Sequence, residues 1–158
     1  MKKEGVIGFL LIALVIIVAV VFFRPKGLEA AMGDGFQLSR ITKVEAALHP
    51  AEGGEVLTVQ LQAGEEGFAD LLTLLNQPSY AFTFSRPQET PTLPYLCVLS
   101  LFDQESDQVW EVTFQGGSLL SLGPTGQTRT HKSSDGQANQ QAILDLLRNQ
   151  AVPAENAA

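Results

Sequence analysis

The chain has 158 residues, 45% of them hydrophobic, with 17 acids against 10 bases and a formal net charge of −7. Four of the bases (Lys2, Lys3, Arg24 and Lys26) precede residue 34, so residues 34–158 are more acidic still and hold no Lys/Arg stripe. Nucleic-acid binding needs such a stripe to displace counterions and is excluded. The lone cysteine, Cys97, excludes an internal disulfide and, being far from the N-terminus, a lipid-bearing one.

From Gly5 to Phe23 no side chain is charged or strongly polar. A helix over these residues is about 28 Å long, close to the thickness of a bilayer's hydrocarbon core. That is longer than the apolar region of an export signal. The expectation is a membrane anchor over 5–23 behind a cytoplasmic head of residues 1–4. Small residues suited to cleavage come late, at Ala30, Ala31 and Gly33, where Ala31-Met32-Gly33 reads as a weak site. Cleavage near Gly33 is the alternative, and it would release a secreted domain. The very short basic start, Lys2 and Lys3, favours an N-terminus in the cytoplasm and a domain outside. Arg24 and Lys26 beyond the run count the other way. No polar side chain lies in the run, which is expected to face lipid as an inert helix.

"GLEAAMGDG" comes next, and 24–35 is expected to be a short flexible linker. An acidic domain is repelled by anionic headgroups and is expected to stand off the membrane on it.

Residues 36–150 are one domain's worth of chain. "FQLSRITKVEAALH" and "EVLTVQLQA" alternate and are joined by the turn "PAEGG", which predicts paired strands. In "GEEGFADLLTLLNQP" the period changes: Phe68, Leu71, Leu72 and Leu75 share one helical face. Glu65 and Glu66 suit that helix's N-terminal end, and Asn76 and Pro78 mark its stop. "YAFTFS" returns to period two. "YLCVLSLF" is apolar on both faces and reads as a central strand covered on both sides at least in part. "VWEVTF" and "LLSL" predict a hairpin across "QGGS". The register that gathers the apolar residues pairs Phe114 with Leu120 and Val112 with Leu122. A short strand in "QTRTHK" comes after it. The last helix is expected to open with a capping box of Ser134 and Gln137 and to carry Ile143, Leu146 and Leu147 inward. Pro153 is expected to stop it, with 151–158 a disordered tail. The order ββαβββββα does not alternate as βαβ units do. It predicts an α+β domain, an antiparallel sheet of five to seven strands with two packed helices.

Little in the domain points to chemistry. His49 and His131 stand in no metal-binding spacing and are expected to be exposed. Ser118, in "GGSL", joins two strands and lacks the strained strand-to-helix turn of a nucleophile. Asp103, Glu105 and Asp107 in "DQESDQ" open like a calcium loop and are the candidate metal site. The Gly and Glu that an EF-hand needs further on are replaced by Gln108 and Phe114, so a polar hairpin turn competes with that reading. The glycine pairs lie between strands and form no phosphate-binding loop, and no cofactor is expected. Pro91, Leu93 and Pro94 in "RPQETPTLPY" form a P-x-x-P spacing. The stretch reads as a stiff connection whose exposed Leu93 makes it the candidate partner contact.

Taken together, the anchor, the paired strands, "FADLLTLL" and the terminal "ILDLLRN" resemble a group of small membrane-anchored exported proteins of Gram-positive bacteria, whose domains are of unknown function. The resemblance is one of architecture. It implies membrane attachment and carries no catalytic residue. The functional expectation is a membrane-tethered extracytoplasmic interaction or sensing module for a protein, peptide or envelope component. The alternatives are a hydrolase using carboxylates such as Asp103 or Glu111, and a structural accessory of an envelope complex.

Overall fold

A computed structural model of the chain describes residues 3–86 and 92–153. Helix α1 (Lys3–Phe23) contains an 18-residue stretch, Val6–Phe23, of mean hydropathy 3.4, none of it buried against the rest of the protein. Val, Ile, Leu, Phe and Ala occupy every side of the helix instead of one stripe. The helix is long and apolar enough to cross a membrane.

The remaining elements form an α+β domain on one antiparallel sheet. They are α2 (Leu28–Met32), a 3₁₀ turn (Leu38–Arg40), β1 (Ile41–Pro50), β2 (Leu57–Gln62), α3 (Phe68–Asn76), β3 (Tyr80–Phe82), β4 (Tyr95–Asp103), β5 (Gln108–Gly116), β6 (Leu119–Pro124), β7 (Arg129–Ser133), α4 (Ala138–Arg148) and β8 (Val152–Pro153). The strand order is β3-β7-β6-β5-β4-β1-β2-β8. Eight strands exceed the five to seven expected. The extra one is β8, made from residues assigned to the tail: Val152 and Pro153 pair with Thr58 and Leu57. The outer edge of β2 offers unpaired backbone groups, and the chain leaving α4 satisfies them. Helix α4 already ends at Arg148, ahead of Pro153. The rest of the expected tail, 154–158, lies outside the described residues.

Alternation assigns the two faces of the sheet. One carries Val44, Ala46, Leu48, Val59, Leu61, Cys97, Leu99, Leu101, Trp110, Val112, Phe114, Leu120 and Leu122, all buried. Phe68, Leu71 and Leu75 of α3 and Ile143, Leu144 and Leu147 of α4 close over it. Each such side chain contributes about 1.5–3 kcal/mol on burial. The other face carries Glu45, Ala47, Thr58, Gln60, Val98, Ser100, Glu111 and Thr113, which are half-buried or exposed. Strand β4 does lie inside the sheet, but only its Cys97 side is fully covered. Leu96 is 46% exposed, and Val98 and Phe102 are half-buried. The apolar stripes of the helices are all spent on the first face.

In the β5–β6 hairpin, Val112 pairs with Leu122 and Phe114 with Leu120, as burial demands. The extra residue is absorbed as a bulge between Phe114 and Gly116. Gly116 and Gly117 turn the chain with φ of 89° and 59°, which disfavour a side chain.

Residues 24–35 are not a flexible linker. Leu28, Ala31 and Met32 form a short helical stripe at i, i+3 and i+4 that enters the core. Leu28 is 0% and Met32 2% exposed. Just before them, the Lys26 N–H donates to the Tyr80 carbonyl (2.9 Å) and the Tyr80 N–H donates to that of Lys26 (2.8 Å). The connection thereby extends the sheet beyond β3. Phe36 packs edge-on against Trp110 at 5.2 Å, so the first strand begins at Ile41 and not at Phe36.

The capping box is also replaced. The Ser79 N–H donates to Ser134 Oγ (3.0 Å), and Gln137 Nε2 donates to the Thr92 carbonyl (2.8 Å). Tertiary partners take both side chains, and α4 starts at Ala138 without a side-chain cap.

Candidate functional site

The three acids of "DQESDQ" sit in the β4–β5 hairpin, where Asp103 pairs with Gln108. Asp103 Oδ1 accepts from the Glu105 N–H (2.9 Å) and the Ser106 N–H (3.2 Å). Glu105 is taken by Arg40, Nε to Oε2 at 2.9 Å. Asp107 supplies the left-handed residue of the turn, with φ of 54°. Burial raises the Asp103 pKa, but the Ser106 and Glu105 hydrogen bonds and the charge of Arg40 outweigh it. The carboxyl therefore lies below its ordinary range. Among the described residues no group of three His, Cys, Asp or Glu stands together as metal ligands, the Asp103, Glu105, Asp107 set included. The alternate acids are accounted for by the turn they build.

Leu93 is buried at 5% exposure, contrary to the expectation of an exposed contact. The segment around it is pinned from three sides. Thr92 Oγ1 accepts from the Gly117 N–H (2.6 Å), the Thr92 carbonyl accepts from Gln137, and the Pro94 carbonyl accepts from the Ala51 N–H (2.9 Å). These bonds pull Leu93 into the end of the core. Pro94 remains exposed, and Pro91 lies outside the described residues.

Cys97 is fully buried, and desolvation pushes its thiol up to about 12. His49 is exposed at the end of β1. His131 is not: it is 6% exposed, because β7 is flanked by β3 and β6 and His131 points to the core side, opposite Phe82 and Leu120. Asp103 and Glu111, the carboxylates considered for hydrolysis, lie on opposite faces. Asp103 continues the buried side of β4, whereas Glu111 pairs with Ser100 on the open side. Ser118 lies in the β5–β6 turn, and its carbonyl accepts from the Ser133 N–H (2.8 Å).

The junction of α1 with the domain is the feature that sequence patterns do not reveal. Phe82 stands 4.8 Å from Phe22 and 5.9 Å from Phe23, ring centre to ring centre. Phe84 lies 5.9 Å from Phe23 and 4.9 Å from Phe82, and is 78% exposed. Beside these rings opens a cleft of about 340 Å³. Phe22, Phe82 and Leu122 give it apolar lining. Arg24, Lys26, Arg129 and His131 give it positive or protonatable groups, against one lining acid among the described residues, Asp34. The two ion pairs among the described residues, Arg40–Glu105 and Lys43–Glu45, use none of these bases. At the cleft, His131 Nδ1 bonds the Arg129 carbonyl at 2.8 Å. Burial, then the charges of Arg129 and Lys26, hold its imidazole below the ordinary range, outweighing that bond. In the sequence, Arg24 and Lys26 read only as topology signals. Nothing local in the chain signals that Arg129 and His131 join them.

Compared with known proteins, the chain matches no family model, no curated protein and no solved structure.

Proposed function

We propose that the chain is a membrane-tethered extracytoplasmic interaction or sensing module, with its N-terminus in the cytoplasm and 5–23 retained as its anchor. One observation carries this reading. The core of the domain runs through α2 almost to the end of α1: Leu28 and Met32 are buried in it, and Lys26 pairs with Tyr80. Cleavage near Gly33 would strip Leu28, Ala31 and Met32 from the core, at about 1.5–3 kcal/mol for each of the larger two. A domain that needs these residues is served by keeping the helix.

The interaction role draws on the open sheet face. There Glu45, Thr58, Gln60, Val98 and Ser100 border a shallow cleft of about 690 Å³ in which polar and small apolar groups alternate. A surface of this mixed character suits a protein, peptide or envelope component.

The test is made in an exporting bacterium. Alkaline phosphatase fused after Ala158 is expected to be active, and a fluorescent protein that folds only in the cytosol is expected to stay dark. The membrane fraction should hold the chain at its uncleaved mass. A photo-crosslinker at Gln60 should give a discrete adduct that is absent when the crosslinker replaces exposed Thr73. A bright cytosolic fusion overturns the orientation, a shortened product overturns the tether, and no adduct at Gln60 overturns the sheet-face contact.

A further inference from the structure

We propose that the domain is seated on the bilayer surface, with Phe82 and Phe84 in the interfacial layer and a phospholipid headgroup phosphate held in the cleft between Arg24, Lys26 and Arg129. This rests on the tether reading and deepens it, since the sequence alone suggests a domain standing off the membrane.

Three observations carry it. First, there is no slack between helix and domain: the chain between α1 and α2 is paired to Tyr80, so this end of the domain is held at the depth where the apolar helix ends. Second, the side chains placed there suit an interface. Phe84 is 78% exposed, a poor arrangement in water, and its ring continues the apolar surface of Phe22 and Phe23. Aromatic rings at the headgroup level are stabilised by burying apolar area while staying near water. Third, the charge is inverted locally. A protein of net charge −7 gathers Arg24, Lys26 and Arg129, all exposed, around one cleft beside those rings. Bases close to an anionic leaflet are each attracted to it, and guanidinium and ammonium groups match phosphate oxygens.

The titratable groups facing the cleft are Arg24, Lys26, Asp34, Tyr80, Arg129 and His131. His131 commits its Nδ1 to the Arg129 carbonyl, so only the protonated ring can offer Nε2–H to an anion. Phosphate binding and His131 protonation therefore favour each other.

Two measurements on the full-length chain test the proposal. In nanodiscs, Phe84→Trp should be strongly quenched by lipids brominated near the headgroup, with Trp110, fully buried, as the unquenched reference. In neutral detergent, dihexanoylphosphatidylglycerol should raise the His131 midpoint, read by ring NMR shifts, by about half a pH unit or more. Arg129→Gln and Lys26→Gln, both at exposed positions, should each raise the lipid-free midpoint and increase about tenfold the lipid concentration that gives the half-maximal shift, without altering the Trp110 environment. Equal response to inorganic phosphate makes the cleft a free-anion site and overturns the lipid assignment. No saturable response, or full response in both variants, overturns the cleft. An unquenched Trp at position 84, with residues 5–23 protected in the bilayer, overturns the seating alone and leaves the tether standing. A cellular product lacking those residues overturns both.

Discussion

The two faces of the sheet come from the same strands and differ in nearly every other respect. Along β5, Trp110, Val112 and Phe114 are at most 1% exposed, while Glu111, Thr113 and Gln115 beside them are half-buried. The first set belongs to the core that the helices close over, with Trp110 packed on Phe36. The second meets solvent and is held together by polar contacts, such as Thr113 Oγ1 donating to Glu111 Oε1 (3.1 Å) and Gln115 Nε2 donating to Ser121 Oγ (2.6 Å). Period-two alternation decides which side chains share a face. It does not decide which face becomes the core, and that depends on where the helices' apolar stripes land. A strand such as β4, apolar on both sides, is therefore ambiguous by itself. Its second face stays partly exposed at Leu96, Val98 and Phe102.

The comparison breaks most readily at Leu99. Leu99→Ala on the buried face should cost about 2–5 kcal/mol, against about 1 kcal/mol or less for Val98→Ala next to it. Denaturant unfolding of the full chain in detergent reads both, and equal losses would mean that both faces are covered. The buried face also extends outside the sheet. Leu28→Ala in α2 should cost about 2–4 kcal/mol, whereas a true linker would register nothing.

A further effect, which grows with pH, comes from the buried thiol. Burial raises the Cys97 pKa from 9.0 to about 12. A folded-state pKa above the unfolded value means that the contribution is complete below pH 9 and is lost as pH rises towards 12. Stability should fall across that alkaline window, and Cys97→Ala should flatten this part of the profile. In the native chain the thiol should ignore a maleimide until denaturant is added, and rapid native labelling would place Cys97 on an accessible surface. The smallest change is expected on the open face: Glu111→Gln should stay within about 0.5 kcal/mol of the parent. A larger loss would show that the open face is structurally coupled to the core.

Much of this architecture is legible in the chain because it is local. An uninterrupted apolar run specifies α1 by length. The 68, 71, 75 spacing specifies α3, and alternation with the glycine turn selects the Val112–Leu122 register, since slipping by one residue would expose Leu120 and Leu122. These signals lie within one element or one hairpin, where backbone geometry alone relates the side chains. The rest depends on segments that meet only after folding. Leu28 and Met32 look like linker residues until a core exists to receive them. Leu93 looks exposed until Gly117 binds the Thr92 hydroxyl and Gln137 and Ala51 bind the carbonyls of Thr92 and Pro94 on either side of it. His131 looks solvated until β3 and β6 flank its strand. Arg24 and Lys26 reach Arg129 only because Lys26 pairs with Tyr80 and β3 pairs with β7. No periodicity encodes such a meeting, because its free energy resides in contacts between distant parts of the chain, and those exist only in the tertiary structure.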